Sequence, residues 1–280
     1  MSDAAAVIDD LREESSELDE LVRGLGAEQW AVPTPAPGWS IAHQIAHLIW
    51  TDDVALLAAT DPEAFAPEVQ KALDAPDTFV DVAARAIVDR TPPEALPEAL
   101  LARWRAGRER MQEVLRSAPA GTRIPWYGPP MSVPSMATAR LMETWAHGQD
   151  IADALGVTRT PTARLRHIAR LGARARDYAY TVRGLPVPEE EFRVELHVPD
   201  GGVIAYGPED AAQRVTGPLR DFCLLVTQRA HRDDLAIRAT GPDADRWLDI
   251  AQAFAGPPGA GRAPRSEAPG TGNAPREGGR

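Results

Sequence analysis

The chain has 280 residues, 44% hydrophobic and 25% charged, which is the composition of a globular protein with room for one large domain or two modest ones and excludes disorder throughout. Its 41 acidic and 30 basic residues give a net charge of −11, and no Lys/Arg run offers a track for phosphates, so nucleic acid is not expected as a partner. No segment approaches the roughly 18 apolar residues that span a bilayer, the N-terminus MSDAAAVIDDLREESS lacks a basic or apolar leader, and a cytoplasmic protein with no membrane partner is expected.

Residues 3–24 space Ala6, Ile8, Leu11, Leu18, Leu21 and Val22 among acidic neighbours, the pattern of a helix with a solvated outer face. After the loop AVPTPAPG, Ser40 is placed to cap a second helix whose stripe runs through Ile41, Ile45 and Leu48 to about Ala59. A Pro- and Asp-rich connection follows, with one short helix near 79–90, and then a long amphipathic helix from about 94 to 117. APAGTRIPWYGPPMSVPS is dense in turn residues and reads as loop. The next helix, about 133–155, is closed by Gly156, and a further Arg-rich helix covers about 161–183. The pattern then changes: FRVELHV alternates as a half-buried strand does, and GGVIAYG follows after a Pro-Asp-Gly turn, which together predict a hairpin. TGPLRDFCLLVTQRA reads as an amphipathic helix, LAIRATG as a strand and ADRWLDIAQAF as a closing helix. The expected organisation is a helical bundle over 1–185, a small α+β unit over 188–256, and a Pro/Gly-rich tail over 257–280 that cannot bury a core and is expected to be disordered. The lone Cys223, inside the apolar run FCLLV, allows no internal disulfide and reads as a buried hydrophobe.

The chemistry concentrates in LMETWAHGQD. Glu143 and His147 stand four positions apart, about one helical turn, in an otherwise apolar stretch, so two groups that are hard to bury point the same way. His43 and His47 share one face of the second helix, and inward-facing groups from different helices of a bundle can meet in its core, where bundles build metal sites. Two imidazoles and a carboxylate would leave coordination positions free for water or substrate, as at catalytic zinc. The same spacing also occurs in surface ion pairs, so spacing alone leaves both readings open.

The stretches PTPAPGWSIAHQIAHLIWTDD and SMATARLMETWAHGQDIADALG resemble the two metal-bearing helices of the DinB superfamily, most closely its mycothiol-dependent branch typified by maleylpyruvate isomerase. The C-terminal unit is similar to the small sterol-carrier-like domain that follows the bundle in those proteins. The resemblance implies a mainly α fold, a DinB-like antiparallel four-helix bundle followed by a small α+β domain, with a divalent metal held by His47, Glu143 and His147. Two His and one Glu suit Zn²⁺ first, and also Ni²⁺, Fe²⁺ or Mn²⁺. His43, one turn nearer the helix start, is assigned to the surroundings of the ligands or the pocket rim, a candidate proton shuttle alongside Asp150 and Tyr127, or else a partly exposed first-turn histidine.

Asp150 follows His147 by three residues on the same face, where a carboxylate can orient an imidazole, move a proton or bond a neighbouring helix. Asp52 and Asp53 lie off the His47 stripe, which favours a solvated or interhelical role. Tyr127, in the loop leading to the metal helix, is placed either as a proton donor in a pocket wall or as packing at the bundle end. Arg140 lies one turn before the ligands, and Arg220 and Arg229 lie on the helix that in mycothiol-using relatives helps bind the thiol cofactor, so all three are candidates for its carboxylates. The expected function is a metal-dependent transferase or isomerase acting with mycothiol on a small electrophilic metabolite, as a monomer or homodimer. The alternatives are a thiol-independent metal-dependent cyclase, hydrolase or rearrangement enzyme, and a non-catalytic metal or small-molecule binder.

Overall fold

The structure is a computed structural model that describes residues 4–267. Helix α1 (Ala4–Val22) turns Val7, Ile8, Leu11 and Leu18 inward, and the single turn α2 (Ala27–Trp30) seats the buried Trp30. Helix α3 (Ile41–Thr60) starts at Ser40, whose backbone N–H donates to His43 Nδ1 at 3.2 Å. Next come α4 (Pro62–Asp74), α5 (Phe79–Asp89) and α6 (Leu96–Ser117). The two-residue strands β1 (Arg123–Ile124) and β2 (Met131–Ser132) pair antiparallel and deliver the chain into α7 (Val133–Leu155), which Gly156 ends in the left-handed conformation at φ 67°. The long helices α1, α3, α6 and α7 form the four-helix bundle, α1 packing on α7 and α3 on α6, with α3 and α7 also in contact.

Two helical expectations differ from what is found. Residues 62–74, read as connection because of their prolines, are helical: Asp61 Oδ1 accepts the Ala64 N–H at 3.1 Å, and Pro62 occupies the first position, where a missing N–H costs nothing. The Arg-rich helix expected over 161–183 starts later and breaks at Ala175 into α8 (Leu165–Arg174) and α9 (Arg176–Thr181).

The C-terminal unit opens with the expected antiparallel hairpin, β3 (Phe192–His197) and β4 (Val203–Tyr206). An unforeseen strand, β5 (Gln213–Pro218), pairs parallel to β3 and leads into α10 (Leu219–Val226), and β6 (Arg238–Thr240) completes a sheet of order β4-β3-β5-β6. Gly217 makes that strand possible, because a Cβ there would stand 2.7 Å from the Ala236 carbonyl oxygen. Helix α11 (Pro242–Ile250) ends four residues earlier than expected: Ala251 is extended (ψ 132°), and the chain runs on as a strap whose Ala253 N–H donates to Val226 O at 2.7 Å. The α+β unit is seated on the bundle through α8 and α10, where Cys223 is buried and its thiol meets Leu165 O at 3.4 Å.

Disorder was expected from residue 257. Residues 257–267 instead make defined contacts, including Arg262 to Asp153 Oδ2 at 2.5 Å and the Arg265 N–H to Asp234 Oδ2 at 3.0 Å; residues 268–280 lie outside the described part. Among the described residues no helix is long and apolar enough to cross a membrane.

Candidate metal centre

The contact between α3 and α7 brings His47 to the one-turn pair Glu143 and His147. His47 Nε2 lies 3.0 Å and His147 Nε2 3.2 Å from the same oxygen, Glu143 Oε2, and the three ligand atoms fall within 4.8 Å of one another. Both imidazoles are buried, with ring centroids 4.2 Å apart. Trp39, just before the α3 cap, stacks on His147 at 5.9 Å and 22°, and its indole N–H donates to Asp81 Oδ1 of α5 at 2.8 Å. Trp50 packs beside His47 at 5.7 Å.

The electrostatics suit a cation. Burial works to raise the Glu143 carboxyl, but the hydrogen bonds and charges of His147 and His47 outweigh it, so Glu143 lies well below the usual carboxylate range. Burial, with the charge of His47 added, lowers His147 to about 4 against the opposing pull of Glu143, which leaves its imidazole neutral at pH 7, the form a metal ligates. Among the described residues no guanidinium or ammonium pairs with Glu143. A buried anion facing imidazoles, one of them neutral, is the donor set that a divalent ion completes, and the three residues fit it. A cavity of about 280 Å³ opens onto them, with Trp39, Val80, Met142 and Phe254 as apolar walls and Arg229 also in its lining.

The other expected site residues are distributed differently. Arg229 does reach the cavity: Gln228, left-handed at φ 58°, ends α10 and turns Arg229 toward α7, where its Nη2 donates to Asp150 Oδ2 at 2.9 Å and its Nη1 to Thr227 O at 2.7 Å. Asp150 is correspondingly committed. Its buried carboxylate takes Arg229, which lies just beyond the end of α10 and not on the helix as expected, and Arg262 from the strap, an interdomain role in place of orienting an imidazole or moving a proton. His43 accepts from Ser40 N–H and has its pKa lowered by burial and by Arg85 of α5, so it caps α3 instead of rimming the metal. Tyr127 is packing: its ring lies among Phe65, Phe79 and Trp126, its hydroxyl is buried without a partner, and burial raises its pKa, which holds the proton in place. Arg140 points into that aromatic cluster, its guanidinium 5.4 Å from the Trp126 ring, and not into the cavity. Arg220, partly exposed on α10, is also outside the cavity lining.

Asp53 bridges α3 to α6 through Arg103 at 2.7 Å, but Asp52 is buried rather than solvated. Burial pushes Asp52 up to about 7, with Arg140 and Arg108 pulling down and Asp53 and Glu143 adding to the rise. A carboxyl whose folded pKa lies above its unfolded value costs stability as pH rises from about 4 to 7, because only the unfolded chain ionises it freely. Asp52→Asn should therefore stabilise the metal-free chain at pH 8 by up to a few kcal/mol and be neutral near pH 4. Urea midpoints at the two pH values check this, and a difference independent of pH would count against a raised Asp52.

Sequence reasoning also missed residues that shape the centre. Gln44, one turn before His47, bonds His147 Nδ1 through its amide oxygen. Trp39 was visible as an apolar residue at the start of the second helix, but nothing in the sequence marked Val80 or Phe254 as walls.

The family described as mycothiol maleylpyruvate isomerase N-terminal domain matches residues 11–152, a span that includes His47, Glu143 and His147, and one described as wyosine base formation matches 188–240 in the α+β unit. Uncharacterized proteins of Mycobacterium tuberculosis strains CDC 1551 / Oshkosh and H37Rv are each 56% identical over 262 residues, covering 94% of this chain and 100% of theirs. The crystal structure of the mycothiol-dependent maleylpyruvate isomerase superimposes with a TM-score of 0.55 at 15% identity, over 86% of this chain and 96% of that one. A histidine-to-alanine mutant of that enzyme gives 0.56 at 16% over the same shares. At such identity the structural likeness is one of fold, while the family match spans half the chain: the chain belongs to the family defined by the mycothiol maleylpyruvate isomerase N-terminal domain.

Proposed function

We propose that this protein is a metal-dependent enzyme, a transferase or isomerase, that acts on a small electrophilic metabolite with mycothiol as its thiol. The observation that carries the reading is the convergence of His47, Glu143 and His147 at an apolar cavity. The family and the fold likeness supply the thiol. The chain's own thiol cannot serve, since Cys223 is fully buried in the α8–α10 contact and burial raises its pKa far out of the nucleophilic range.

A divalent ion bound here, with Zn²⁺ the first candidate, would supply Lewis acidity that lowers the pKa of a coordinated thiol or polarises a substrate oxygen. His47, Glu143 and His147 would hold it. Trp39, Met142 and Phe254 give the cavity apolar walls beside the three residues, where an apolar part of the substrate can pack. Arg229, kept in place by Asp150, presents a guanidinium to the cavity and suits a carboxylate of the thiol or substrate.

The test is turnover of the zinc-reconstituted protein on maleylpyruvate and on a panel of epoxides and activated alkenes, with and without mycothiol, followed by mass spectrometry. Product that requires both metal and thiol is expected. Turnover without thiol would move the reading to a thiol-independent cyclase, hydrolase or rearrangement enzyme, and bound metal with no product to a binding protein.

A further inference from the structure

His147 has a built support on the side away from Glu143. Gln44 is fully buried, so its amide has no solvent to turn to, and its oxygen meets His147 Nδ1. Gln44 Nε2 donates to Thr34 Oγ1 at 2.8 Å, and the Thr34 hydroxyl donates to Trp39 O at 3.0 Å. The hydroxyl has one hydrogen; directed at Trp39, it leaves a lone pair for the Gln44 amide group, and that turns the amide oxygen toward His147. An amide oxygen only accepts, so the hydrogen of the His147 ring sits on Nδ1. Nε2, 3.2 Å from Glu143 Oε2, is the nitrogen left to ligate. His47 has no such support, since its Nδ1 is buried without a partner. The loop that starts the relay also carries the indole stacked on His147, so one segment fixes both the plane of the ring and its tautomer.

We propose that Gln44 is the positioning residue of the metal centre: oriented by Thr34 and the Trp39 carbonyl, it holds the His147 hydrogen on Nδ1 and makes Nε2 the ligating nitrogen. This rests on the metal-centre reading above. Support of a ligating imidazole through its second nitrogen is a general device, and its loss lowers metal affinity by about 10–100-fold.

The experiment compares the full chain with Gln44→Met, which keeps the shape and removes the acceptor, and Gln44→Glu, which restores an acceptor. Long-range ¹H–¹⁵N spectra of the metal-free proteins, with the His147 signals assigned by their loss in His147→Ala, read the tautomer directly, and chelator competition reads zinc affinity. The wild type is expected to carry the hydrogen on Nδ1. Gln44→Met should lose that preference and bind zinc about 10–100-fold more weakly with unchanged helical circular dichroism, and Gln44→Glu should recover both. If Gln44→Met does not fold, Thr34→Val, which frees the amide to turn, should shift tautomer and affinity in the same direction. A wild-type hydrogen on Nε2, or a Met variant with tautomer and affinity intact, would overturn the proposal. A chain that binds no zinc yet shows Nδ1–H, lost in Gln44→Met, would remove the metal centre and leave the relay standing.

Discussion

His147→Ala should release the metal ion outright and leave the fold intact. Removing the imidazole leaves His47 and Glu143 as a two-donor set, and the loss of affinity should exceed the roughly 10–100-fold that a supporting residue costs. Elemental analysis after dialysis should fall from one divalent ion per chain to none. Helical content should persist, because α7 is held by Leu141, Trp145 and Ile151, all buried, and not by its polar face. His47→Ala should behave alike. His43→Ala should keep the ion, since that ring is tied to the start of α3 at Ser40 and faces Arg85. Metal retained in His47→Ala and lost in His43→Ala would sink the ligand assignment on α3.

The second large effect is on stability. Glu14 of α1 is buried and receives Arg159 Nη2 and, at 2.9 Å, Arg164 Nε, while Arg159 Nη1 donates to Trp145 O at 3.0 Å. One carboxylate thus ties the link between α7 and α8 to both α1 and the backbone of the metal helix. Glu14→Ala leaves the buried Arg159 guanidinium with only Glu17, at 2.9 Å, as counter-ion. Breaking a buried pair from one side costs about 3–5 kcal/mol, because the remaining charge has been desolvated without compensation. In a chain of this size that is a fall in Tm on the order of 10 °C. Glu14→Gln should lose most of the same, since the charge and not the shape is decisive. A calorimetric Tm unchanged in both variants would show that the network contributes nothing net.

What could be read from sequence follows the range of the forces involved. Helix α7 was legible because its apolar period and its Gly156 stop are local, and the β3–β4 hairpin because alternation and a turn are local too. Helix α4 was missed because Pro62 and Pro67 read as breakers, although Pro62 sits where a helix tolerates it. Strand β5 was missed because six residues ending in Gly217-Pro218 carry little strand signal; its pairing with β3 is a tertiary fact. The metal trio needed only helical phase and a family resemblance. Gln44, by contrast, is an unremarked polar residue in an apolar helix until the fold sets it against a ring 103 residues away. Asp150 was on the right face, but phase could not show the two arginines, one from the turn after α10 and one from the strap, that claim it.

The strap that carries Phe254 also separates two events in time. During synthesis the candidate trio is complete once His147 has emerged, when α1, α3 and α6 and the larger part of α7 have been translated. The wall formed around Phe254 is translated more than a hundred residues later, and Arg262, which fastens that segment to Asp150 and Asp153, later still. An ion taken up by the trio on a nascent chain would therefore meet a cavity still without its Phe254 wall, which closes only when the segment carrying Arg262 docks on Asp150 and Asp153.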